Sequence, residues 1–144
     1  MEITRLTDID LKSLAELFRQ FWGQSSSVEK MRITFSRLSE NPAYILLAAK
    51  EGERLVGFVM GIICEELYGA CRPFMVVEDV IVDKDRRRNG AGTALMSEIE
   101  KCAVDHDCYQ ILLVTEADRA EACRFYQALG YQSEPYKGFK KRIG

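Results

Sequence analysis

Residues 74–96, FMVVEDVIVDKDRRRNGAGTALM, are the stretch that decides the fold. An apolar run comes first and predicts a strand that is buried on both faces, and therefore central in its sheet. Charged residues 83–88 follow, and two glycines then lead into the apolar spacing of an amphipathic helix. A strand that passes through such a turn into a helix is typical of α/β domains. The turn is either a solvated basic loop that caps the helix or a site that holds an anion.

The rest of the chain alternates between strand-like and helix-like spacing. We expect strands at residues 2–7, 43–50, 55–63, 74–82, 109–115, 131–133 and 137–143, and helices at 8–22, 31–38, 92–105 and 119–130. Gly130 should end the last helix at its C′ position. This order predicts an α/β (α+β) fold in one domain, residues 1–144, with a mixed, mostly antiparallel sheet and a central parallel strand pair.

Composition narrows the class of function. The formal net charge of −2 argues against general binding to nucleic acid or to an anionic membrane. The longest apolar run, residues 55–64, is too short to span a bilayer, and residues 1–10 do not resemble a signal peptide. Five cysteines without a C-x-x-C pair, together with one histidine, argue against a disulfide framework and against a metal site. These features predict a cytoplasmic protein with reduced thiols.

Spacing tests the anion-binding interpretation of the turn. A dinucleotide fingerprint would need a third glycine where Leu95 stands, and a P-loop would need a lysine directly after Gly92. Neither pattern fits. The first N–H groups of a helix nevertheless lack carbonyl partners and lie at the positive end of its dipole, where a pyrophosphate can bind. Glycines allow a ligand to approach that backbone closely, and neighbouring arginines add positive charge.

Two motifs in order resemble the GNAT acetyltransferase superfamily. Residues 87–92, RRNGAG, match its [Q/R]-x-x-G-x-[G/A] motif, and residues 124–131, RFYQALGY, resemble its F-Y-x-x-x-G-[FY] signature. One helix and one strand separate the two motifs, as in that family. The resemblance covers nearly the whole chain and implies a strand pair splayed around acetyl-CoA and flanked by about four helices.

The resemblance also implies which residues bind the cosubstrate. The backbone of the strand would contact the pantetheine arm, and the turn would hold the pyrophosphate; these residues are Val80, Ile81, Val82, Arg87, Arg88, Asn89, Gly90, Ala91, Gly92 and Thr93. Arg119 occupies a position where the family often has an asparagine that contacts the cofactor. No metal is implied.

Three side chains are candidates for the chemistry. Tyr126 stands where the family commonly has the tyrosine that donates a hydrogen bond to the departing sulfur, although a core aromatic is the alternative. Glu78 interrupts an apolar strand, and a poorly solvated carboxylate suits a base that works near neutrality. Asp79 should project to the opposite face of the strand. Either acid could instead pair with an arginine, and a water molecule could relay the proton.

The acceptor amine is less closely defined. VEDVIV followed by CYQILL resembles glucosamine-6-phosphate acetyltransferases, whereas the length and RFYQALGY resemble aminoalkylphosphonate acetyltransferases. An aminoglycoside or a polyamine is also consistent with this layout. We therefore expect a small-molecule primary amine as the substrate. The alternatives are a protein lysine or N-terminal amine, and a CoA-binding regulatory module without turnover. Homodimers are common in the family, so self-association is a further expectation.

Overall fold

The computed structural model of the protein describes residues 1–144 and contains one five-stranded sheet. In spatial order, which is also chain order, the strands are β1 (Glu2–Arg5), β2 (Tyr44–Glu51), β3 (Arg54–Cys64), β4 (Phe74–Val82) and β5 (Ile111–Leu112). Neighbouring strands are antiparallel except β4 and β5, which are parallel. The predicted mixed, mostly antiparallel fold is confirmed. β5 is the last strand of the sheet, so the parallel pair lies at one edge.

Four α-helices accompany the sheet: α1 (Leu11–Trp22), α2 (Val28–Ser39), α3 (Ala91–Asp105) and α4 (Ala120–Ala128). The apolar spacing of α1 buries Leu11, Leu14 and Leu17, and the helix ends at Gly23, which adopts φ +75°. The Ser27 hydroxyl accepts a hydrogen bond from the Lys30 N–H and caps α2. None of the helices combines the length and the apolar character needed to cross a membrane.

Two glycines of β3 allow α3 to lie close against the sheet. A Cβ at Gly57 would be 3.0 Å from Leu95 Cδ1, and one at Gly61 would be 2.8 Å from Ile99 Cδ1. Leu95 and Ile99 are fully buried, so these contacts belong to the core. Close packing along β3 therefore fixes where α3 begins, which is the start of the helix that the glycine turn enters.

The chain divides into two compact units, Met1–Leu112, which contains the whole sheet, and Leu113–Gly144, which contains α4. Within the second unit the predicted final pair of strands is wrong, since residues 131–144 adopt no regular secondary structure. Residues 132–144 are all exposed, so no packing surface covers their side chains and stabilises a strand. The fifth strand is also shorter than the predicted 109–115.

Candidate active site

The glycine turn (residues 83–90) connects β4 to α3. Asp83 begins it with a buried side chain that accepts hydrogen bonds from the Asp85 N–H at 3.0 Å and from Arg54 Nη2 at 2.8 Å. Burial alone would raise the pKa of Asp83, but these hydrogen bonds and the Arg54 charge outweigh it and lower that pKa. Asp83 is therefore an ionised anchor for a turn that must hold an irregular conformation.

The end of the glycine turn presents backbone donors. Gly90 is the N-cap of α3 with φ +84°, a left-handed conformation that favours glycine, and it offers no side-chain cap. The first helical hydrogen bond runs from the Ala94 N–H to the Gly90 C=O at 2.9 Å, so the N–H groups of residues 91–93 precede it. A Cβ at Gly90 would have nothing within 4 Å. The helix therefore starts with unpaired N–H groups beside open space.

The three arginines of the turn have different environments. Arg86 forms an ion pair with Glu51, with 3.1 Å between Nε and Oε2, but its buried Nε makes no hydrogen bond, and the side chain is partly buried. Arg87 and Arg88 are exposed, and Arg88 adopts φ +68°. Two exposed guanidinium groups therefore lie close in sequence to the start of α3, in the segment that carries the sequence motif.

A β-bulge interrupts β4 just before the glycine turn. Phe58 pairs with Ile81 and Met60 pairs with Glu78, so Asp79 and Val80 together oppose one residue of β3. Asp79 has φ +57°, in the left-handed region. Strict alternation of side chains between the two faces therefore stops at Asp79, and the expectation that Glu78 and Asp79 lie on opposite faces does not follow for this strand.

β4 also extends past its parallel neighbour. β5 pairs with Met75 and Val76 and ends there, whereas β4 continues to Val82. The Asp83 N–H donates to the Val56 C=O of β3 at 2.8 Å, so by alternation the backbone groups of Val82 point away from β3. An extended ligand can hydrogen-bond to this run of strand, which has no partner on β5, as another strand would.

The two carboxylates on the bulge differ in burial. Glu78 is exposed, while Asp79 is half-buried. Burial, followed by the nearby charge of Glu78, raises the pKa of Asp79. We expected Glu78 to be the poorly solvated acid, and this was wrong. With the bulge in β4, Asp79 is the partly buried carboxylate and Glu78 is exposed.

The remaining predicted residues lie in the second unit. Tyr126 of α4 is half-buried, with its ring 5.1 Å from that of Phe125 and 6.1 Å from that of Tyr131. The Tyr131 N–H donates to the Tyr126 C=O at 3.0 Å, and Gly130 adopts φ +97° at the predicted end of the helix. Arg119 is the N-cap of α4 and its Nη1 donates to Thr115 Oγ1 at 3.5 Å. The aromatic neighbours hold the Tyr126 ring in its orientation.

Comparison with known proteins identifies this arrangement. The model of the acetyltransferase (GNAT) family matches residues 11–131. The chain belongs to that family. GNAT members carry out acetyl transfer, so the protein is an acyltransferase. A Bacillus subtilis (strain 168) relative, the uncharacterized N-acetyltransferase YhfO, is 25% identical over 142 residues and covers 93% of this chain and 91% of its own.

Solved structures share the GNAT fold. A putative acetyltransferase from Agrobacterium tumefaciens superposes with a TM-score of 0.92 at 22% identity, covering 99% of this chain and 100% of its own. Glucosamine-6-phosphate N-acetyltransferase from Arabidopsis thaliana gives 0.85 at 19% identity, covering 97% of both chains. The soil metagenomic aminoglycoside acetyltransferase meta-AAC0020 gives 0.81 at 18% identity, covering 99% of this chain and 96% of its own. At these identities the likeness establishes the fold.

Motif reasoning missed the residues that support the glycine turn of this GNAT protein. Arg54 on β3, Glu51 on β2 and Gln20 on α1 each contact the turn from a different element. Asp83 was the one residue that could have indicated such support from the sequence, since an acid directly after a buried strand needs a partner. Its partner lies 29 residues away in sequence, and nothing in the spacing identifies it.

Proposed function

We propose that this GNAT acetyltransferase moves the acetyl group of acetyl-CoA onto a primary amine of a small molecule by direct attack in a ternary complex. The observation that supports this most is the start of α3. Gly90 leaves open space beside N–H groups that precede the first helical hydrogen bond, and Arg87 and Arg88 are exposed next to it. This arrangement suits the pyrophosphate of CoA in charge and in shape.

The backbone of β4 would hold the pantetheine arm. Val80 is part of the bulge and Ile81 and Val82 follow it, on the part of the strand that has no partner on β5. The turn residues Arg87, Arg88, Asn89 and Gly90 and the helix residues Ala91, Gly92 and Thr93 would contact the pyrophosphate. Arg119, at the N-cap of α4, is the proposed replacement for the family's asparagine. Bound acetyl-CoA supplies an activated thioester.

Asp79 and Glu78 are the proposed proton acceptors for the attacking amine, directly or through water. Asp79 has the more suitable environment, because its raised pKa brings a carboxylate closer to the strength that a base needs near neutrality. Glu78 contributes to that shift through its charge. A backbone N–H of the strand can stabilise negative charge that develops on the acyl oxygen.

Tyr126 is the proposed hydrogen-bond donor to the departing sulfur. An ordinary thiol has a pKa of about 8.5 and an ordinary tyrosine one of about 10. Full proton transfer would therefore be uphill by about 2 kcal/mol, whereas hydrogen-bond donation needs no such transfer. The rings of Phe125 and Tyr131 restrict the Tyr126 ring and would lower the entropic cost of aiming its hydroxyl.

The acceptor class is proposed more broadly. An amino sugar phosphate, an aminoalkylphosphonate, an aminoglycoside or a polyamine would each present a small primary amine. The names of two structural neighbours, a glucosamine-6-phosphate enzyme and an aminoglycoside enzyme, support two of these classes. We further propose that residues 1–144 act as one domain in the cytoplasm, where acetyl-CoA is available, and that a homodimer is the form to look for.

The decisive experiment has two stages. Calorimetric titration of acetyl-CoA should show micromolar binding, and a panel of the four amine classes should then release CoA. Release is best measured by chromatography, because exposed Cys71 would react with thiol reagents. Absence of acetyl-CoA binding by the folded protein would refute the proposal, whereas binding without turnover on any small or peptide amine would indicate a regulatory module.

Tyr126→Phe tests the donor role within the same assay. We expect kcat to fall by about 100-fold, the lower end of the range for a lost acid–base group, while the Kd of acetyl-CoA stays unchanged. Tyr136→Phe is the matched control, because Tyr136 is 69% exposed and lies in the irregular C-terminal segment. Equal kcat values for the two variants would remove Tyr126 from the mechanism.

A further inference from the structure

Acidic side chains surround the glycine turn although its proposed ligand is an anion. Asp83 lies within the turn and is 4% exposed, and Glu51 contacts Arg86 from the end of β2. Simple electrostatics makes each of these charges unfavourable for binding a pyrophosphate. Their presence therefore needs a reason other than direct attraction of the ligand.

Three side chains, those of Asp83, Glu51 and Gln20, each make a contact that restrains the glycine turn. Asp83 binds Arg54 Nη2 at 2.8 Å, which ties the first residue of the turn to β3. The Glu51 carboxylate lies 3.1 Å from Arg86 Nε, an ion pair without a hydrogen bond that attracts the middle of the turn to the end of β2. Gln20 accepts a hydrogen bond from the Lys84 N–H at 3.3 Å and connects the turn to α1.

The backbone of the turn explains why restraint is useful. Arg88 has φ +68°, a left-handed conformation that a non-glycine residue of an unrestrained chain visits rarely. Ordering a residue costs conformational entropy, and a ligand that had to impose this order would bind correspondingly more weakly. A turn that is ordered beforehand avoids that loss.

We propose that Asp83, Glu51 and Gln20 are positioning residues that hold the glycine turn in its ligand-binding conformation, and that Glu51 also keeps Arg86 paired to β2 while Arg87 and Arg88 face the ligand. This inference rests on the proposed binding of acetyl-CoA at the turn. It assigns a role to side chains on α1, β2 and the end of β4 that do not themselves contact the ligand.

Glu51→Gln provides the test because the two explanations, charge repulsion and positioning, predict opposite changes in the Kd of acetyl-CoA. If charge alone matters, removing a negative charge beside an anion site should tighten acetyl-CoA binding. If Glu51 positions the turn, the Kd of acetyl-CoA for this variant should rise by about two- to fivefold, the range expected for losing a weak, partly exposed ion pair. Glu53→Gln is the matched control, since it removes the same charge two residues further along the chain, in the β2–β3 turn, where Glu53 is exposed and forms no ion pair.

Calorimetry on the wild type is done first, and absence of acetyl-CoA binding there would count against the proposed function rather than against positioning. If the wild type binds, weaker binding by Glu51→Gln but not by Glu53→Gln supports the inference. Tighter or unchanged binding by Glu51→Gln overturns it, and so does equal weakening by both variants. With an accepted amine in hand, KM for acetyl-CoA should rise while kcat at saturation stays constant.

Asp83→Asn and Gln20→Ala extend the test to the other two contacts. Asp83→Asn should raise the Kd by on the order of tenfold, because it weakens a buried, charge-assisted hydrogen bond. Gln20→Glu keeps an acceptor oxygen in the same place, so it should bind more tightly than Gln20→Ala despite its added negative charge. The reverse order for the two Gln20 variants would show that charge, and not positioning, governs binding.

Discussion

Replacing Gly90 by asparagine and by aspartate separates the backbone requirement from the electrostatics of the proposed cradle. Gly90 has φ +84°, and a Cβ there would have nothing within 4 Å, so neither side chain meets a steric clash. Both residues tolerate the left-handed region better than other non-glycine residues. The cost of that conformation, at most about 1–2 kcal/mol, should therefore be nearly the same for the two variants.

The two variants differ by one negative charge at the start of α3. A carboxylate at about 6 Å from a phosphate, in a solvent-like dielectric of about 80, is repelled by about 0.7 kcal/mol per phosphate charge. Two phosphate charges give about 1.4 kcal/mol, which is about a tenfold higher Kd for Gly90→Asp than for Gly90→Asn.

Calorimetric titration with acetyl-CoA at low and high salt measures this difference. The gap between the two variants should shrink toward about 1 M salt, because the screening length falls to about 3 Å. Thermal denaturation should give both variants similar melting temperatures, since they share the backbone cost. Equal Kd values for the two variants at low salt would refute anion binding at the start of α3.

Three further substitutions test the packing and the carboxylates. Gly61→Ala should lose about 1–3 kcal/mol of unfolding free energy in urea, because its Cβ would lie 2.8 Å from buried Ile99 Cδ1, whereas Gly138→Ala, near only one side-chain atom at 4.0 Å, should lose almost none. Asp79→Asn should stabilise the protein at pH 7: the raised pKa of Asp79 means that its charged form opposes folding, so the gain should shrink as the pH falls through the folded-state pKa. Asp83→Asn should instead lower the free energy of unfolding at neutral pH. This loss relative to the wild type should fade in acid, as wild-type Asp83 becomes protonated near its lowered pKa. The same pH dependence for both aspartate variants would contradict these assignments.

Local sequence patterns were sufficient to predict much of the secondary structure. The three- and four-residue spacing of Leu11, Leu14 and Leu17 predicted α1, and the structure buries all three. Gly130 ended α4 as expected, since a positive φ at that position favours glycine. Such signals depend on neighbours a few residues apart in the chain, and those neighbours are present in the sequence itself.

The predicted strands near the C-terminus failed for the complementary reason. The prediction of strands at residues 131–133 and 137–143 used only the local sequence, but a strand also needs a partner to accept its hydrogen bonds and a surface to cover its apolar face. Residues 132–144 are exposed and unpaired in regular structure. The local sequence of these residues was therefore not sufficient to form a strand.

By itself the sequence determined the order of elements as far as α4 and the family motifs, and it is the source of the proposed anion site, because glycines and helix starts act through the local backbone. Only the tertiary structure decided that Asp79, rather than Glu78, is the poorly solvated acid, because a bulge depends on the register between β3 and β4. It also decided that Arg54 anchors Asp83 and that Glu51 holds Arg86. These pairs join residues far apart in the chain, and their contacts form only when sheet packing brings the strand ends together.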